Sequence, residues 1–150
     1  MAEYLIIFLA FLIVIPAVCL FFLTEVKLEY KTAKVGINGK IFEAEIADTI
    51  LKKAKGLSGR KALGENKGMI FIFTNPGKYN FWMIGMNFPL DIIWISGNKI
   101  VDISKNVQPS KSGRLTVIVS PLTKADKVLE IPAGSAEKFD IKIGDEAVIN

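Results

Sequence analysis

Residues 79–96 read YNFWMIGMNFPLDIIWIS, an apolar and aromatic run broken by Asn87, Pro89 and one charge, Asp91. Three structures could produce it: a membrane segment, a strand-rich core or the lining of a site. Phe81 to Ile95 falls short of the roughly 20 residues that a spanning helix needs, and its polar interruptions exclude the first. Pro89 donates no backbone N–H and forbids one continuous central strand. Two short strands remain, YNFWMI and LDIIWIS, joined by a bend from Gly85 to Pro89. A core needing only volume would draw on aliphatics, so Trp82, Met83, Met86, Phe88 and Trp94 suit a core with an apolar-walled cleft at the bend.

Working outward, short apolar runs alternate with turn signals. Asn38-Gly39 and Gly97-Asn98 each lie between strand-like runs, as two-residue hairpin turns do. KGMIFIFTNPGK is a continuous apolar run closed by a turn, suited to a strand covered on both faces. RLTVIVS and KVLEIP add two strands, and Gly144-Asp145 turns into a last one. Ile50, Leu51, Ala54 and Leu57 recur at helical spacing, with Asp48 or Thr49 to cap the start and Gly56 to end it, so they predict a short helix with that face inward. A second helical turn is expected near Ser135. The expected fold is mainly β, a compact β-sandwich, jelly-roll-like or barrel-like domain with one or two short helices.

The amino-terminal end differs from all of this. Residues 4–23, YLIIFLAFLIVIPAVCLFFL, carry no charge. Twenty residues at about 1.5 Å each match a bilayer's hydrocarbon core. A cleaved signal would have a basic start and a shorter apolar stretch, whereas the one charged side chain before this run is Glu3. We therefore expect a single transmembrane helix within residues 1–23, a tether over 24–33 and a β domain over 34–150. The lysines after the span would by themselves keep that domain in the cytoplasm.

Composition narrows the chemistry. The chain of 150 residues has no His and one Cys, and that Cys19 lies inside the apolar run. His-based triads, imidazole metal ligands and a thiol nucleophile in the β domain are excluded together. All 19 Lys and Arg and all but one of the 15 acids follow Leu23, a net charge of +5 there. So modest and mixed a balance suits solubility or an anionic membrane surface, and no nucleic-acid partner is expected. No cofactor is expected either.

Four stretches, KGLSGRKAL (55–63), GMIFIF (68–73), FWMIGMNFPLDIIWIS (81–96) and VLEIPAGSAEKFDIKIGDEAV (128–148), resemble in order and spacing the DUF192 family, a bacterial and archaeal domain of unknown function. The resemblance covers roughly residues 34 to 149. It implies a compact, mainly β domain, often secreted or membrane-attached, which favours an extracytoplasmic side, and it implies no established activity. Gly56, Leu57, Arg60, Gly68, Met69, Phe73, Trp82, Met83, Pro89, Leu90, Asp91, Glu130, Gly134, Gly144 and Asp145 match its recurring pattern. Some relatives carry a Lys-Asn-Thr-like step where this chain has Ile84-Gly85-Met86, so a site there would be more apolar here.

The candidate ligand-binding residues are Arg60, Trp82, Met83, Asp91 and Glu130. Asp91 and Glu130 each sit between two apolar residues, so alternation turns them away from those neighbours, toward solvent or a polar pocket. Asp91 is alternatively a structural carboxylate accepting backbone hydrogen bonds at a strand start. Arg60 could fork onto an anion, but is expected to pair with Asp91 or Asp145. The leading expectation is a membrane-tethered, non-enzymatic domain that binds a small molecule, glycan or protein partner near Arg60, Trp82 and Asp91. One alternative is a hydrolase or lyase using Asp91 and Glu130 as acid and base on an envelope polymer. Another is a module for protein–protein interaction alone.

Overall fold

The computed structural model describes residues 28–110 and 116–150. The expected membrane segment and residues 24–27 of the tether lie outside the described residues. Among those described, no helix is long and apolar enough to cross a membrane.

The elements run β1 (Thr32–Ile37), β2 (Lys40–Ala47), α1 (Ile50–Lys55), β3 (Lys67–Gly77), β4 (Phe81–Trp82), β5 (Leu90–Ser96), β6 (Lys99–Val107), β7 (Ile118–Val119), β8 (Ala125–Pro132), α2 (Ser135–Lys138) and β9 (Val148–Ile149). Seven strands form one curled sheet in the order β6-β5-β8-β3-β2-β1-β9, and β4 and β7 form a separate pair. The fold is mainly β with two short helices, as expected. It is built on one sheet covered on both faces, and the second sheet of the expected sandwich shrinks to the β4–β7 ribbon.

Asn38 and Gly39 both take positive φ, 50° and 76°, the backbone of a tight hairpin turn whose twist suits the flanking strands. β2 and β3 then pair in parallel, which a tight turn cannot achieve. The crossover carries α1, capped by the Thr49 hydroxyl accepting from the Lys52 N–H at 3.3 Å.

Period-2 alternation sends side chains into two cores. Ile93, Ile95, Leu129 and Ile131 pack on one face with Phe42, Ala136 and Ile141. Ile92, Trp94, Val128 and Met69 pack on the other with Leu57, Phe81 and Met83. β5 is buried along almost its whole length because it lies between β6 and β8 with a core on each side. The Trp94 indole N–H donates to the Ser104 hydroxyl at 3.1 Å, so its one polar atom is satisfied inside the core.

Three local expectations are corrected. α1 buries none of its residues; Ile50 is 86% and Leu51 65% exposed. At six residues it is under two turns, and the side chain that reaches the core is Leu57, just beyond its end. YNFWMI contributes only Phe81–Trp82 as strand, although exposure still alternates along it: Phe81 and Met83 inward, Trp82 and Ile84 outward. From RLTVIVS only Ile118–Val119 is strand, and residues 111–115 lie outside the described part.

Candidate functional site

The β4–β7 ribbon and the α1 crossover cover the second face side by side, and a cleft of about 280 Å³ opens between them. Ile50, Lys53 and Ala54 of α1, continuing through Gly56 to Ser58, make one wall. Tyr79, Phe81, Trp82, Ile84 and Met86 make the other. Phe71 and Phe73 of β3 and Glu130 of β8 line it from the sheet. Phe71 meets Phe81 edge-on at 4.8 Å, and Phe73 stacks on Tyr79 at 3.6 Å. The Lys53 ammonium sits 4.5 Å from the centre of the Phe73 ring.

The walls are held to each other by hydrogen bonds to backbone carbonyls. The Gly59 N–H donates to the Gly85 carbonyl at 2.8 Å, and the Asn87 side-chain amide donates to the Arg60 carbonyl at 2.8 Å. Gly85 has φ +68°, and a Cβ there would come within 2.3 Å of the Ser58 hydroxyl oxygen. Only glycine lets the bend lie this close to the 56–60 turn.

Glu130 is the chemically unusual group. Its cross-strand partners are Met69 and Ile92, which put its side chain on the cleft face. It is 6% exposed, and its Oε2 has no hydrogen-bond partner among the described residues. Burial pushes this carboxyl up to about 8, while the positive charge of Arg60 pulls the other way. At neutral pH it is mostly a neutral acid, able to donate as well as accept a hydrogen bond.

Asp91 takes the opposite course. It too is buried, at 1% exposure, so of solvent and a polar pocket it takes the pocket. Its Oδ1 accepts from the Asn106 N–H and its Oδ2 from the Ala136 N–H, each at 2.8 Å. It therefore ties β6 and the start of α2 to β5 from the first face, as the structural alternative requires. Asp91 pairs with Ile131 and Glu130 with Ile92, so the two carboxyls leave the sheet on opposite sides. They cannot serve one substrate as acid and base.

Arg60 pairs with neither Asp91 nor Asp145. Its guanidinium donates to both carboxylate oxygens of Glu45 at 2.6 Å in a fork, which raises the Arg60 pKa above its usual value. β2 presents Glu45 toward the 56–60 turn, whereas Asp145 is engaged in its own turn by Asn38 and the Lys142 N–H. Arg60 lines a second groove, of about 530 Å³, with Leu28 and Tyr30, across the 56–58 turn from the cleft.

Of the five residues singled out from the sequence, Trp82 and Glu130 meet at the cleft, Trp82 being 48% exposed. Arg60 stands beyond the turn, Met83 is core at 1% exposure and Asp91 is on the other face. Sequence reasoning missed Ile50, Tyr79 and Ile84 as lining, and Glu45 as the partner of Arg60. The adjacency of Ile50 and Leu51 to three lysines was the available signal for the first.

The family model of DUF192, described as an uncharacterized ACR, matches residues 33–149. A protein of unknown function from Novosphingobium aromaticivorans shares 32% identity, with 83% of this chain and 89% of that one covered and a TM-score of 0.71. A proposed transcription regulator from Sinorhizobium meliloti has the same fold at 23% identity, with 82% and 97% covered and a TM-score of 0.74. No curated protein matches the sequence. With 117 consecutive residues fitted by one family model, the chain belongs to the DUF192 family.

Proposed function

We propose that this domain is a binding module whose cleft takes the apolar body of a small molecule, with Glu130 hydrogen-bonding one polar group on it. Residues 4–23 tether the module to a bilayer. The observation that carries the proposal is the combination of an aromatic-walled cleft and a buried carboxyl oxygen without a partner among the described residues. An unpaired buried oxygen costs free energy that a hydrogen-bonding ligand would recover. Besides Glu130 the charged and amide or hydroxyl groups of the walls are those of Lys53, Lys55, Ser58, Tyr79 and Asn80, few enough to favour an apolar ligand over a glycan rich in hydroxyls.

The test uses the detergent-solubilised full chain with 2-naphthol and decanol, two apolar probes each bearing one hydroxyl. Saturation-transfer NMR should detect both with the native chain. Ala54→Trp, at an exposed helical position on the cleft wall, should abolish the signal without unfolding the domain. Equal signals from the native chain, Ala54→Trp and empty micelles would refute the proposal.

A further inference from the structure

The mouth of the cleft is more apolar than a solvated rim should be. Ile50, Trp82 and Ile84 line it while remaining 86%, 48% and 55% exposed. Leu51 extends the patch along α1 at 65% exposure, and Ile118, at 60%, extends it across the ribbon, where it pairs with Trp82. A contiguous apolar rim of this kind marks a docking surface.

Its charge indicates the partner. From Ile50 to Lys61 there are five basic residues and no acid. Arg60 is committed to Glu45 and Lys52 to Asp48. Among the described residues Lys53, Lys55 and Lys61 have no ion-pair partner. Apolar tips and a tryptophan interleaved with lysines fit the boundary between anionic headgroups and acyl chains.

The course of the chain favours the same partner. Leu28 and Tyr30 lie against the 55–60 turn, beside the patch. Leu23, the last residue of the charge-free run, is five positions before Leu28 and so at most about 18 Å away. We propose that the mouth of the cleft docks on the surface of an anionic bilayer, with Ile50, Leu51, Trp82 and Ile84 inserted at the headgroup boundary and Lys53, Lys55 and Lys61 among the phosphates. The cleft then opens to the lipid phase. This rests on residues 4–23 being membrane-inserted, and the experiment separates the two claims.

The full chain is reconstituted into nanodiscs of phosphatidylcholine with phosphatidylglycerol, using acyl chains brominated near the headgroup. Trp94 is fully buried, so loss of tryptophan emission reports on Trp82. Roughly half of the emission should be lost, and almost none in Trp82→Phe. The double variant Ile50→Ser, Leu51→Ser, altered only at exposed positions, should escape quenching, as should Lys53→Gln, Lys55→Gln, Lys61→Gln. Chain that enters the discs while Trp82 stays bright and is quenched by aqueous iodide overturns the docking alone. Chain that does not enter the discs overturns both claims.

Discussion

Asp91 and Glu130 lie on adjacent strands one step out of register, and their side chains leave the sheet by opposite faces. Two carboxyls, both almost free of solvent contact, thereby meet opposite fates. Asp91 receives two backbone N–H groups and joins three elements. Glu130 leaves an oxygen unpartnered among the described residues, beside an apolar cleft. One is architecture, and the other is available for recognition.

Replacing Asp91 with Asn should therefore cost about 2–4 kcal/mol, read as a lower midpoint in urea. The amide keeps the shape but turns its own N–H₂ toward one of the two backbone donors. The probe-binding signal of the surviving folded fraction should be unchanged, because Asp91 does not reach the cleft.

Glu130 should give the stability a distinct pH dependence. Its folded-state pKa, about 8, is above the ordinary value of 4.5, so the native state holds its proton more tightly than the unfolded chain. Its contribution is fully present below the unfolded value and is lost as pH rises from there through about 8. Glu130→Gln should flatten the fall in Tm between pH 5 and pH 9, with a gain of roughly 2–4 kcal/mol over the native chain at the alkaline end. A Tm profile identical in the two proteins would contradict the buried, unpaired state.

Arg60→Ala should have two separable effects. Loss of the half-exposed fork to Glu45 should cost about 1 kcal/mol in denaturant unfolding. Loss of the positive charge should move the titration of Glu130 further upward, since Arg60 is the group that lowers it. Carbonyl chemical shifts of the labelled Glu130 side chain, followed from pH 6 to pH 10, measure the second directly.

Gly85→Ala should destabilise the chain by about 1–3 kcal/mol, through the left-handed backbone and the collision with Ser58. Adding Ser58→Gly should recover the part due to the collision and leave the backbone part. Denaturant titration of the single and double variants separates the two.

Much of the fold was legible in the sequence because its signals are local. Asn38-Gly39, the apolar run in Leu90–Ser96 and the apolar run beginning at Lys67 each act through neighbours along the chain. The parallel pairing of β2 with β3 and the position of β8 between β5 and β3 depend on contacts distant in sequence. No periodicity reports those. The same limit governs the site. Alternation correctly turned Asp91 and Glu130 away from their apolar neighbours, but in a sheet with two cores both faces are interior. It also could not show that Glu45, 15 positions earlier, would hold Arg60. The inward apolar face expected of α1 failed because six residues are too few to bring Ile50 and Leu51 down onto the sheet.

The pairing of β1 with β9 carries a kinetic consequence. Val35 stands opposite Ile149 in the register, and Lys34 exchanges two backbone hydrogen bonds with Asn150. One long edge of β1 thus stays bare on the ribosome until more than a hundred further residues have emerged. Such distant closure is slow, and an unfilled edge invites pairing with other chains. Chains truncated before Val148 should be the species that aggregates and recruits chaperones, while chains that include Val148 and Ile149 cover that edge and escape.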